Sequence, residues 1–334
     1  MDEHKKIIVS AETEADSLYS LSLRPQNLTD FIGQKEIVDN LRVSLQAAKK
    51  RKEPIEHILF YGPPGLGKTS LAHIVANEMS ARITVTSGPA ISRAGDLVGI
   101  LTNLGRGDIL FIDEIHRLSK VVEEFLYPAM ENFKIDLVAD KGPYAKTINF
   151  NLKPFTLIGA TTRTGLLAAP LRDRFGLFYN LDFYVPDQLS IIVMASAGKL
   201  NISIDQEAAL EIARRSRGTP RITHRLLRRV RDFAQVKFSR NHIDCFLVKE
   251  AMQALGIDEI GLDESDRRFL RILDDHYQGG PVGIETLAAT LNEESDTIVD
   301  VLEPYLLKIG FLKRTPRGRE LTEKSLKHIK SLSK

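Results

Sequence analysis

Residues 62–69 read Gly-Pro-Pro-Gly-Leu-Gly-Lys-Thr and match the phosphate-loop pattern G-x-x-x-x-G-K-[ST]. The apolar stretch 57–61 before the loop predicts a strand, and residues 70–79 after it predict a helix. Glycines let the backbone N–H groups and the helix N-terminus surround a phosphate chain. In such a loop Lys68 contacts the β- and γ-phosphates and Thr69 holds Mg²⁺. The sequence therefore predicts a site for a nucleoside triphosphate, with ATP and Mg²⁺ as the expected cofactors.

Two adjacent acidic residues follow a later apolar run. Residues 109–112 predict a buried strand that ends at Asp113 and Glu114, and α/β sheets bind ligands at the carboxyl ends of their strands. Asp113 suits the Mg²⁺ shell, and Glu114 suits a base that activates the attacking water. An acid pair at this place could instead cap a helix. Its occurrence together with the phosphate loop favours nucleotide hydrolysis.

The pattern of apolar runs predicts an α/β domain. Short β-rich runs at 57–61, 83–86, 109–112, 155–159 and 178–183 alternate with segments long enough for helices. This order is typical of a parallel sheet with helices on both faces. Residues 134–152 alternate apolar and polar residues around the turn-forming 140–143, which predicts an inserted hairpin. We expect this large domain to span residues 1–184.

Two smaller domains are predicted after the large one. Amphipathic helical stretches dominate 185–255 and indicate a small helical domain. Residues 256–261 suit a linker to a last domain at 256–334. There, helical runs 264–276, 284–291 and 294–308 precede Lys-Arg-Thr-Pro-Arg-Gly-Arg at 313–319. Helices followed by a basic turn are typical of a winged helix.

Composition narrows the class of protein further. The 334 residues are 43% hydrophobic and 27% charged, an ordinary mixture for a compact soluble protein. No apolar run approaches the roughly 20 residues that span a bilayer, and residues 1–16 do not resemble a signal peptide. We therefore expect a cytoplasmic protein. The single cysteine, Cys245, cannot form an internal disulfide and has no Cys/His cluster around it for zinc.

The ordered motifs carry a family resemblance. GPPGLGKT, LFIDEIHRL, LIGATTR, PLRDRFG and GTPR follow one another at separations that resemble the AAA+ ATPases. More narrowly, the chain is similar to the RuvB family of bacterial Holliday-junction branch-migration motors over about residues 20–320. The stretches 24–34, 86–91, 123–132 and 279–289, which lie outside any nucleotide motif, share in this likeness. The fold that it implies is an AAA+ P-loop domain, a small helical lid and a C-terminal winged helix.

The resemblance implies further catalytic roles. Thr161 or Thr162 would be sensor 1 beside the γ-phosphate, and many AAA+ proteins have Asn there. Arg174, in preference to Arg172, would be the arginine finger that reaches a neighbouring subunit's nucleotide. Arg221 would be sensor 2. The other nucleotide contacts implied are Leu23, Arg24, Glu131, Asn132, Phe133 and Tyr184 on the adenine and ribose side, with Gly62, Gly65, Gly67 and Ser70 at the phosphates.

The implied partners are duplex DNA, further copies of the chain, and other proteins. A Lys/Arg-rich turn can follow the phosphate backbone without reading bases, and the resemblance points to Arg314 and Arg319 as DNA contacts, with Arg317 between them. The eight arginines of 214–231 are ambiguous, and we favour nucleotide and subunit contacts for them. The resemblance implies a hexameric ring, docking of the junction-binding protein RuvA on the hairpin, and the RuvC resolvase as a partner that could join a larger complex. Val138, Ala139 and Tyr144 near the hairpin turn are apolar enough to serve as docking anchors, although the hairpin could instead be an exposed β-arm with an inward apolar face.

Two other AAA+ functions remain open at this point. A clamp-loader subunit would share both ATP motifs, but clamp loaders usually present the finger in Ser-Arg-Cys, whereas residues 170–175 here are Pro-Leu-Arg-Asp-Arg-Phe. An initiator-like ATP switch would also carry a winged helix. Its recognition helix should contain base-reading Arg, Asn or Gln, whereas residues 294–308 are acidic and apolar.

Overall fold

The computed structural model describes residues 23–138 and 147–332. They form two compact units, one spanning Arg24–Asp182 and the other comprising Leu23 and the described residues from Phe183 onward. Buried apolar side chains form separate clusters in the first unit, in residues 193–252 and in residues 262–321. Within the described ranges no helix is long and apolar enough to cross a bilayer.

A five-stranded parallel sheet is the core of the Arg24–Asp182 unit. The strands of the unit are β1 (Ile58–Tyr61), β2 (Ile83–Ser87), β3 (Ile109–Asp113), β4 (Lys134–Val138), β5 (Thr147–Asn151), β6 (Thr156–Thr161) and β7 (Leu177–Asn180). The order in the sheet is β2-β3-β6-β1-β7. Since its strands are parallel, the residues after β1, β3 and β6 emerge at one edge. The predicted parallel sheet is confirmed.

Helices cover both faces of this sheet, as predicted. They are α1 (Lys35–Arg51), α2 (Lys68–Met79), α3 (Ala94–Thr102), α4 (Lys120–Asn132) and the short α5 (Ala169–Arg172). On one face α2 packs on β3 and β6, with α1 against α2. On the other face Leu97 of α3 and Leu126 of α4 join Ile112 and Leu157 of the sheet in one buried cluster. Continuous apolar strands such as β3 and β6 are what two covered faces require.

The predicted strand at 178–183 is too long at its carboxyl end. β7 ends at Asn180, and the next residue still donates its N–H to the carbonyl of Tyr61. Gln34 then binds the backbone of Asp182 through both ends of its amide: Nε2 donates to the carbonyl at 2.6 Å, and Oε1 accepts the N–H at 3.3 Å. The apolar pattern continues to Phe183, but this side-chain contact takes the chain out of the sheet.

The inserted hairpin is also present. β4 and β5 pair antiparallel in a register that places Lys134 opposite Asn151 and Val138 opposite Thr147. Ile135 is buried in the core cluster of the Arg24–Asp182 unit, so the base of the hairpin is anchored. The predicted turn at 140–143 and the proposed anchors Ala139 and Tyr144 lie outside the described residues, as does the side chain of Val138.

The second unit begins with a helical lid. Its elements are α6 (Pro186–Lys199), β8 (Ser203–Ile204), α7 (Gln206–Arg214), α8 (Pro220–Phe238), β9 (His242–Ile243) and α9 (Cys245–Ala254). The helices pack around Val193, Ile212, Leu227 and Val248. The sequence predicted the helices and missed the two-residue parallel pairing of β8 with β9, which is too short to leave a pattern.

A winged helix completes the second unit. Its elements are α10 (Glu264–Asp275), α11 (Ile284–Leu291), α12 (295–308, with a π-helical turn at Ile298–Leu302), β10 (Leu312–Thr315), β11 (Gly318–Leu321) and α13 (Glu323–Leu332). Phe269, Leu287, Leu306 and Leu312 contribute to its core. β10 and β11 pair antiparallel, so the basic stretch 313–319 forms the wing hairpin that the sequence predicted.

Candidate nucleotide-binding site and DNA-binding wing

The phosphate loop connects β1 to α2 and depends on glycine at its two ends. Gly62 has φ +129°, and a Cβ there would lie 2.2 Å from the carbonyl oxygen of Leu181. Gly67 has φ +105°, and its Cβ would meet the ring of Phe31 at 3.1 Å. L-residues with side chains rarely adopt such backbone angles. The loop therefore follows this path only with glycine at both positions.

The Lys68 side chain crosses the loop that precedes it. Its Nζ donates to the carbonyl oxygens of Gly62 at 2.7 Å and Pro63 at 2.8 Å, and the residue is buried. Lys68 is also the first residue of α2, and the first N–H groups of a helix have no acceptor within that helix. A buried ammonium and a helix N-terminus together favour an anion at this place.

Thr69 and Asp113 meet at the carboxyl edge of the sheet. The Thr69 hydroxyl lies 3.5 Å from Oδ2 of Asp113, while Oδ1 of Asp113 accepts the N–H of Glu114 at 2.9 Å. A hydroxyl and a carboxylate are the hard oxygen donors that Mg²⁺ prefers, with phosphate oxygens and water as further ligands. The residues fit that ion. Across the described ranges no group of three or more His, Cys, Asp or Glu forms a metal cage.

Glu114 holds a backbone conformation that is uncommon for its residue type. Its φ is +47° and its ψ +43°, in the left-handed region. Side chains with a Cβ adopt this region at a cost, and such residues cluster at functional sites. The Glu114 carboxylate pairs with Arg117 at 3.1 Å, and the Glu114 side chain remains 45% exposed, so it is accessible to water.

The two candidate sensor threonines differ in their surroundings. Thr161 ends β6 and is buried, with its Oγ1 2.9 Å from Nδ1 of His116 and accepting the N–H of Arg163 at 3.0 Å. Thr162 is half-buried. Successive side chains of an extended chain point to opposite sides. The Thr161 hydroxyl is thus engaged within the protein, and Thr162 is the better candidate for a phosphate contact.

Arg174 lies at the edge formed by the amino ends of the strands, whereas Lys68 lies at the edge formed by their carboxyl ends. It comes just before β7, whose first residue pairs with Ile58 at the start of β1, whereas Lys68 follows the end of β1. Its Nη2 pairs with Glu131 at 2.9 Å, its Nη1 donates to the carbonyl of Pro170 at 2.5 Å, and its guanidinium lies 4.6 Å from the Tyr127 ring centroid. Arg174 is therefore held against helix α4 of its own chain, through Glu131 and Tyr127, and away from the phosphate loop of that chain.

Glu131, Asn132 and Phe133 lie at this same edge. The Phe133 ring is 6.5 Å from that of His57 and 5.8 Å from that of Phe155, and both of these residues precede sheet strands. Glu131 and Asn132 are exposed beside it. Within one chain the structure does not bring these three residues to the phosphate loop, although the sequence grouped them with it. Arg172 is exposed and close in sequence to Arg174.

The other predicted contacts divide between the two units. Gly65, with φ +79°, and half-buried Ser70 lie in the loop and the first turn of α2. Arg24 lies near α2, since burial and the Arg24 charge together lower the pKa of His73. Three others lie in the second unit: Leu23 is buried and accepts from Lys199, Tyr184 is buried and donates its N–H to Gly218, and Arg221 is exposed at the start of α8.

The wing arginines share a buried glutamate. Arg314 and Arg319 are directly opposed across β10 and β11, and both bind Glu303 of α12. Arg314 Nε donates to Oε2 and Arg319 Nε to Oε1, each at 2.7 Å, and the Glu303 side chain is fully buried. Arg314 is 47% exposed and Arg319 only 18%. Arg317 is exposed in the turn between the strands. Arg319 is thus mainly an internal partner of Glu303, while Arg317 and Arg314 present charge to solvent.

Sequence reasoning missed three residues of these sites. His116 contacts Thr161, Tyr127 lies under Arg174, and Glu303 binds the two wing arginines. His116 stands three residues after Asp113 inside a recognised motif, which is a signal that could have been used. Tyr127 and Glu303 gave none, because their partners are remote in the sequence.

Comparison with known proteins identifies the family. The family model described as the Holliday junction DNA helicase RuvB P-loop domain matches residues 23–181. The RuvB AAA lid domain matches residues 184–258, and the RuvB C-terminal winged helix domain matches residues 259–330.

Individual relatives agree with these models over nearly the whole chain. The Holliday junction branch migration complex subunit RuvB of Oleidesulfovibrio alaskensis is 55% identical over 312 residues, covering 93% of this chain and 97% of that protein. The solved structure of the Thermotoga maritima RuvB Holliday junction branch migration motor is 50% identical, with a TM-score of 0.86, and covers 92% of this chain and 98% of that one. A K-to-R variant of the same protein is 51% identical, also with a TM-score of 0.86. The chain belongs to the RuvB family of AAA+ proteins.

Proposed function

We propose that this protein is an ATP hydrolase that drives branch migration of Holliday junctions during homologous recombination and DNA repair, in the bacterial cytoplasm. The observation that carries the proposal is the meeting of Thr69, Asp113 and Glu114 beside the Lys68 loop at one edge of the sheet. These are the parts that nucleotide hydrolysis needs. The names of the relatives describe branch migration for those proteins.

The binding step uses the loop and its lysine. The N–H groups of the loop surround the phosphate chain, and Lys68 exchanges its contacts with the carbonyls of Gly62 and Pro63 for phosphate oxygens. Thr69 and Asp113 would hold Mg²⁺, which neutralises charge on the β- and γ-phosphates. Gly65 and Ser70 would complete these contacts, with Arg24 toward the nucleoside.

The hydrolytic step uses residues that follow β3 and β6. Glu114 orients a water molecule and accepts its proton as the new oxygen–phosphorus bond forms and the bond to the β-phosphate oxygen breaks. The pairing of Glu114 with Arg117 fixes the direction of the carboxylate. Thr162 serves as sensor 1 and binds the γ-phosphate, because the hydroxyl of Thr161 is already bonded to His116.

Hydrolysis in this proposal requires assembly. β1 has four residues and is about 13 Å long, and Arg174 and Lys68 lie beyond its opposite ends. An arginine that stabilises the transition state must reach the transferred phosphate. Arg174 therefore serves the nucleotide of a neighbouring chain, and Glu131, Asn132 and Phe133 belong to the same face. A closed ring, a homohexamer as in the family, repeats this contact at every interface.

The wing is the proposed contact with duplex DNA. Arg317 in the turn and Arg314 beside it can bind phosphates, and phosphate contacts carry no sequence information. Helix α12 includes Asp300 and the buried Glu303 and offers no Arg, Asn or Gln to base edges. A motor that moves along any sequence needs this kind of contact. The wing also argues against the clamp-loader alternative, and the character of α12 argues against a sequence-reading initiator.

Protein partners complete the proposal. The curated relative is named as a subunit of a branch migration complex. We place the junction-binding protein RuvA at the β4–β5 hairpin of the Arg24–Asp182 unit, whose base is anchored by Ile135. The RuvC resolvase could join the same assembly. The proposed nucleotide-responsive residues of the second unit are Arg221 at the start of α8, Tyr184 and Leu23.

Steady-state ATP hydrolysis tests the catalytic part directly. Glu114→Gln should retain ATP binding and lose about 10²- to 10⁴-fold in kcat, the usual contribution of a general base. Glu124→Gln changes an exposed glutamate of α4 in the same way and should hydrolyse ATP normally. Equal activity of these two variants would contradict the role given to Glu114.

A further inference from the structure

A buried ionic cluster joins the lid to the winged helix within the second unit. At its centre the Arg217 side chain is only 8% exposed. Its Nη2 lies 2.7 Å from Oδ2 of Asp263 and 2.6 Å from Oδ2 of Asp266, and its Nη1 donates to Oδ1 of Asp266 at 3.3 Å. Its Nε donates to the carbonyl of Gly261 at 2.7 Å. All three guanidinium nitrogens of this lid residue thus bind residues 261–266.

The two carboxylates are themselves fixed by helix α10. Asp263 caps the helix by accepting the N–H groups of Ser265 at 2.9 Å and Asp266 at 3.2 Å. Asp266 in turn accepts the N–H of Asp263 at 3.0 Å and is fully buried. Arg217 is therefore bonded to the first turn of α10, a helix that contributes Phe269 and Leu273 to the core of the winged helix.

The chain between the two domains has a fixed geometry as well. Residues 256–261 were predicted as a linker, yet the Asp258 carboxylate accepts the N–H groups of Ile260 and Leu262 and lies 3.0 Å from Nε2 of His328. Gly261 has φ +85°, and a Cβ there would lie 2.4 Å from the carbonyl oxygen of Arg215. A connection held at so many points does not act as a hinge.

The cluster also lies next to the part of the lid that responds to nucleotide in the proposed function. Arg217 is followed by Gly218, whose carbonyl accepts the N–H of Tyr184 at 2.9 Å, and Arg221 stands four residues further on in α8. The loop that contains Arg217 and Gly218 therefore connects the contacts with α10 to the start of α8, where Arg221 lies. On the winged-helix side, Tyr305 of α12 lies 6.0 Å from the guanidinium and donates its hydroxyl to the carbonyl of Ile260 at 2.6 Å.

We propose that Arg217 is a positioning residue that, with Asp263 and Asp266, makes the lid and the winged helix turn as one body. A rotation that begins at Arg221 then moves the basic wing by the same angle, because the connection between the two domains does not bend. A bidentate guanidinium suits this role, because its planar fork fixes both distance and direction. This inference rests on the proposed function, since it concerns how ATP hydrolysis is converted into DNA movement.

A coupling measurement separates this role from simple stabilisation. The double variant Arg217→Met/Asp266→Asn removes the link and leaves no unpaired charge in the fully buried position. Its ATP hydrolysis should stay within about threefold of the parent chain. We expect the number of base pairs migrated per ATP to fall about tenfold, within the usual range of coupling between sites. Asp266→Asn alone keeps the Arg217–Asp263 pair and should migrate as many base pairs per ATP as the parent chain.

A folded double variant with the parent ratio of base pairs per ATP would overturn the proposal. A second measurement does not depend on that variant. In a Cys245→Ser background, spin labels are attached at Lys237→Cys in the lid and at Glu294→Cys in the winged helix. Pulsed electron–electron double resonance then measures the distance between the two labels. We expect one narrow distribution that a slowly hydrolysed ATP analogue leaves unchanged; a nucleotide-dependent shift would overturn the single-body proposal. If the parent chain migrates no junctions, the proposed function fails, and the distance measurement still tests the joint.

Discussion

Thr161 Oγ1 lies 2.9 Å from Nδ1 of His116, so the hydroxyl that ends β6 is bonded inside the protein. This contact separates two adjacent threonines that the sequence presents as equals. We therefore infer that Thr161 has a structural role and propose Thr162 as the sensor of the γ-phosphate.

Paired valine substitutions test this assignment. Thr162→Val should lower kcat by about 10²-fold, the scale for removing one group that stabilises developing charge, and should leave the melting temperature unchanged. Thr161→Val should instead reduce the free energy of unfolding by about 1–3 kcal/mol, since it removes two hydrogen bonds, with His116 and with the Arg163 N–H, each of which contributes about 0.5–1.5 kcal/mol. Phosphate release and thermal unfolding measure the two effects. The reverse pattern would assign sensor 1 to Thr161.

Arg174 is predicted to act on a neighbouring chain. Arg174→Ala should bind ATP normally and lose about 10³-fold or more in kcat, as is usual for an arginine finger. Mixing it with Glu114→Gln subunits should restore part of the hydrolysis, because some interfaces then combine an intact Glu114 with an intact Arg174. Arg172→Ala is the matched control and should hydrolyse ATP normally. Complete absence of rescue in the mixture would count against a finger supplied by another chain.

The wing arginines should separate into a DNA contact and a structural residue. Arg317→Ala should weaken duplex binding at every sequence and lower the slope of log affinity against log salt by about 0.9, the value for one phosphate contact, with no change in stability. Arg319→Ala should cost about 2 kcal/mol or more of unfolding free energy, because it removes a partner of the buried Glu303. A larger salt-slope change for Arg319→Ala than for Arg317→Ala would reverse these roles.

Acid should destabilise the lid through His224. Burial, with the charges of Arg228 and Lys199, lowers the pKa of His224 to about 4 from 6.5. Between these values the unfolded chain binds a proton that the folded chain does not, so this group's stability contribution is complete above pH 6.5 and declines toward pH 4. The loss reaches about 3 kcal/mol at roughly 1.4 kcal/mol per pH unit. In chemical unfolding, the free energy of unfolding of His224→Leu should fall less steeply between pH 6.5 and pH 4 than that of the parent chain, and an equal slope would contradict this role.

Titration of Asp266 should have the opposite effect on stability, because it favours the folded chain at acid pH. Burial raises its pKa to about 7, against the lowering effect of Arg217. The folded chain then retains a proton that the unfolded chain has released, so this contribution to stability decreases as pH rises from about 4 to 7. Asp266→Asn should therefore make acid destabilisation steeper. An unchanged slope in this variant would show that Asp266 does not titrate in that range.

The sequence predicted the features that depend on local pattern. Buried parallel strands such as β3 and β6 are continuous apolar runs, and the phosphate loop has its own spacing. What it missed depends on contacts between remote residues. Gln34 ends β7 by binding Asp182, and Arg217 contacts Asp266, which lies 49 positions later in the sequence. The choice between Thr161 and Thr162, and the division of roles in the wing, likewise required the packed structure.

Migration of a synthetic four-way DNA junction is the most direct test of the central claim, that ATP hydrolysis at the Lys68 loop moves DNA. The intact chain with RuvA should convert the junction to duplex products in the presence of ATP and Mg²⁺, and Lys68→Ala should produce none under the same conditions. Persistent ATP hydrolysis without junction migration by the intact chain, or equal migration by Lys68→Ala, would contradict it.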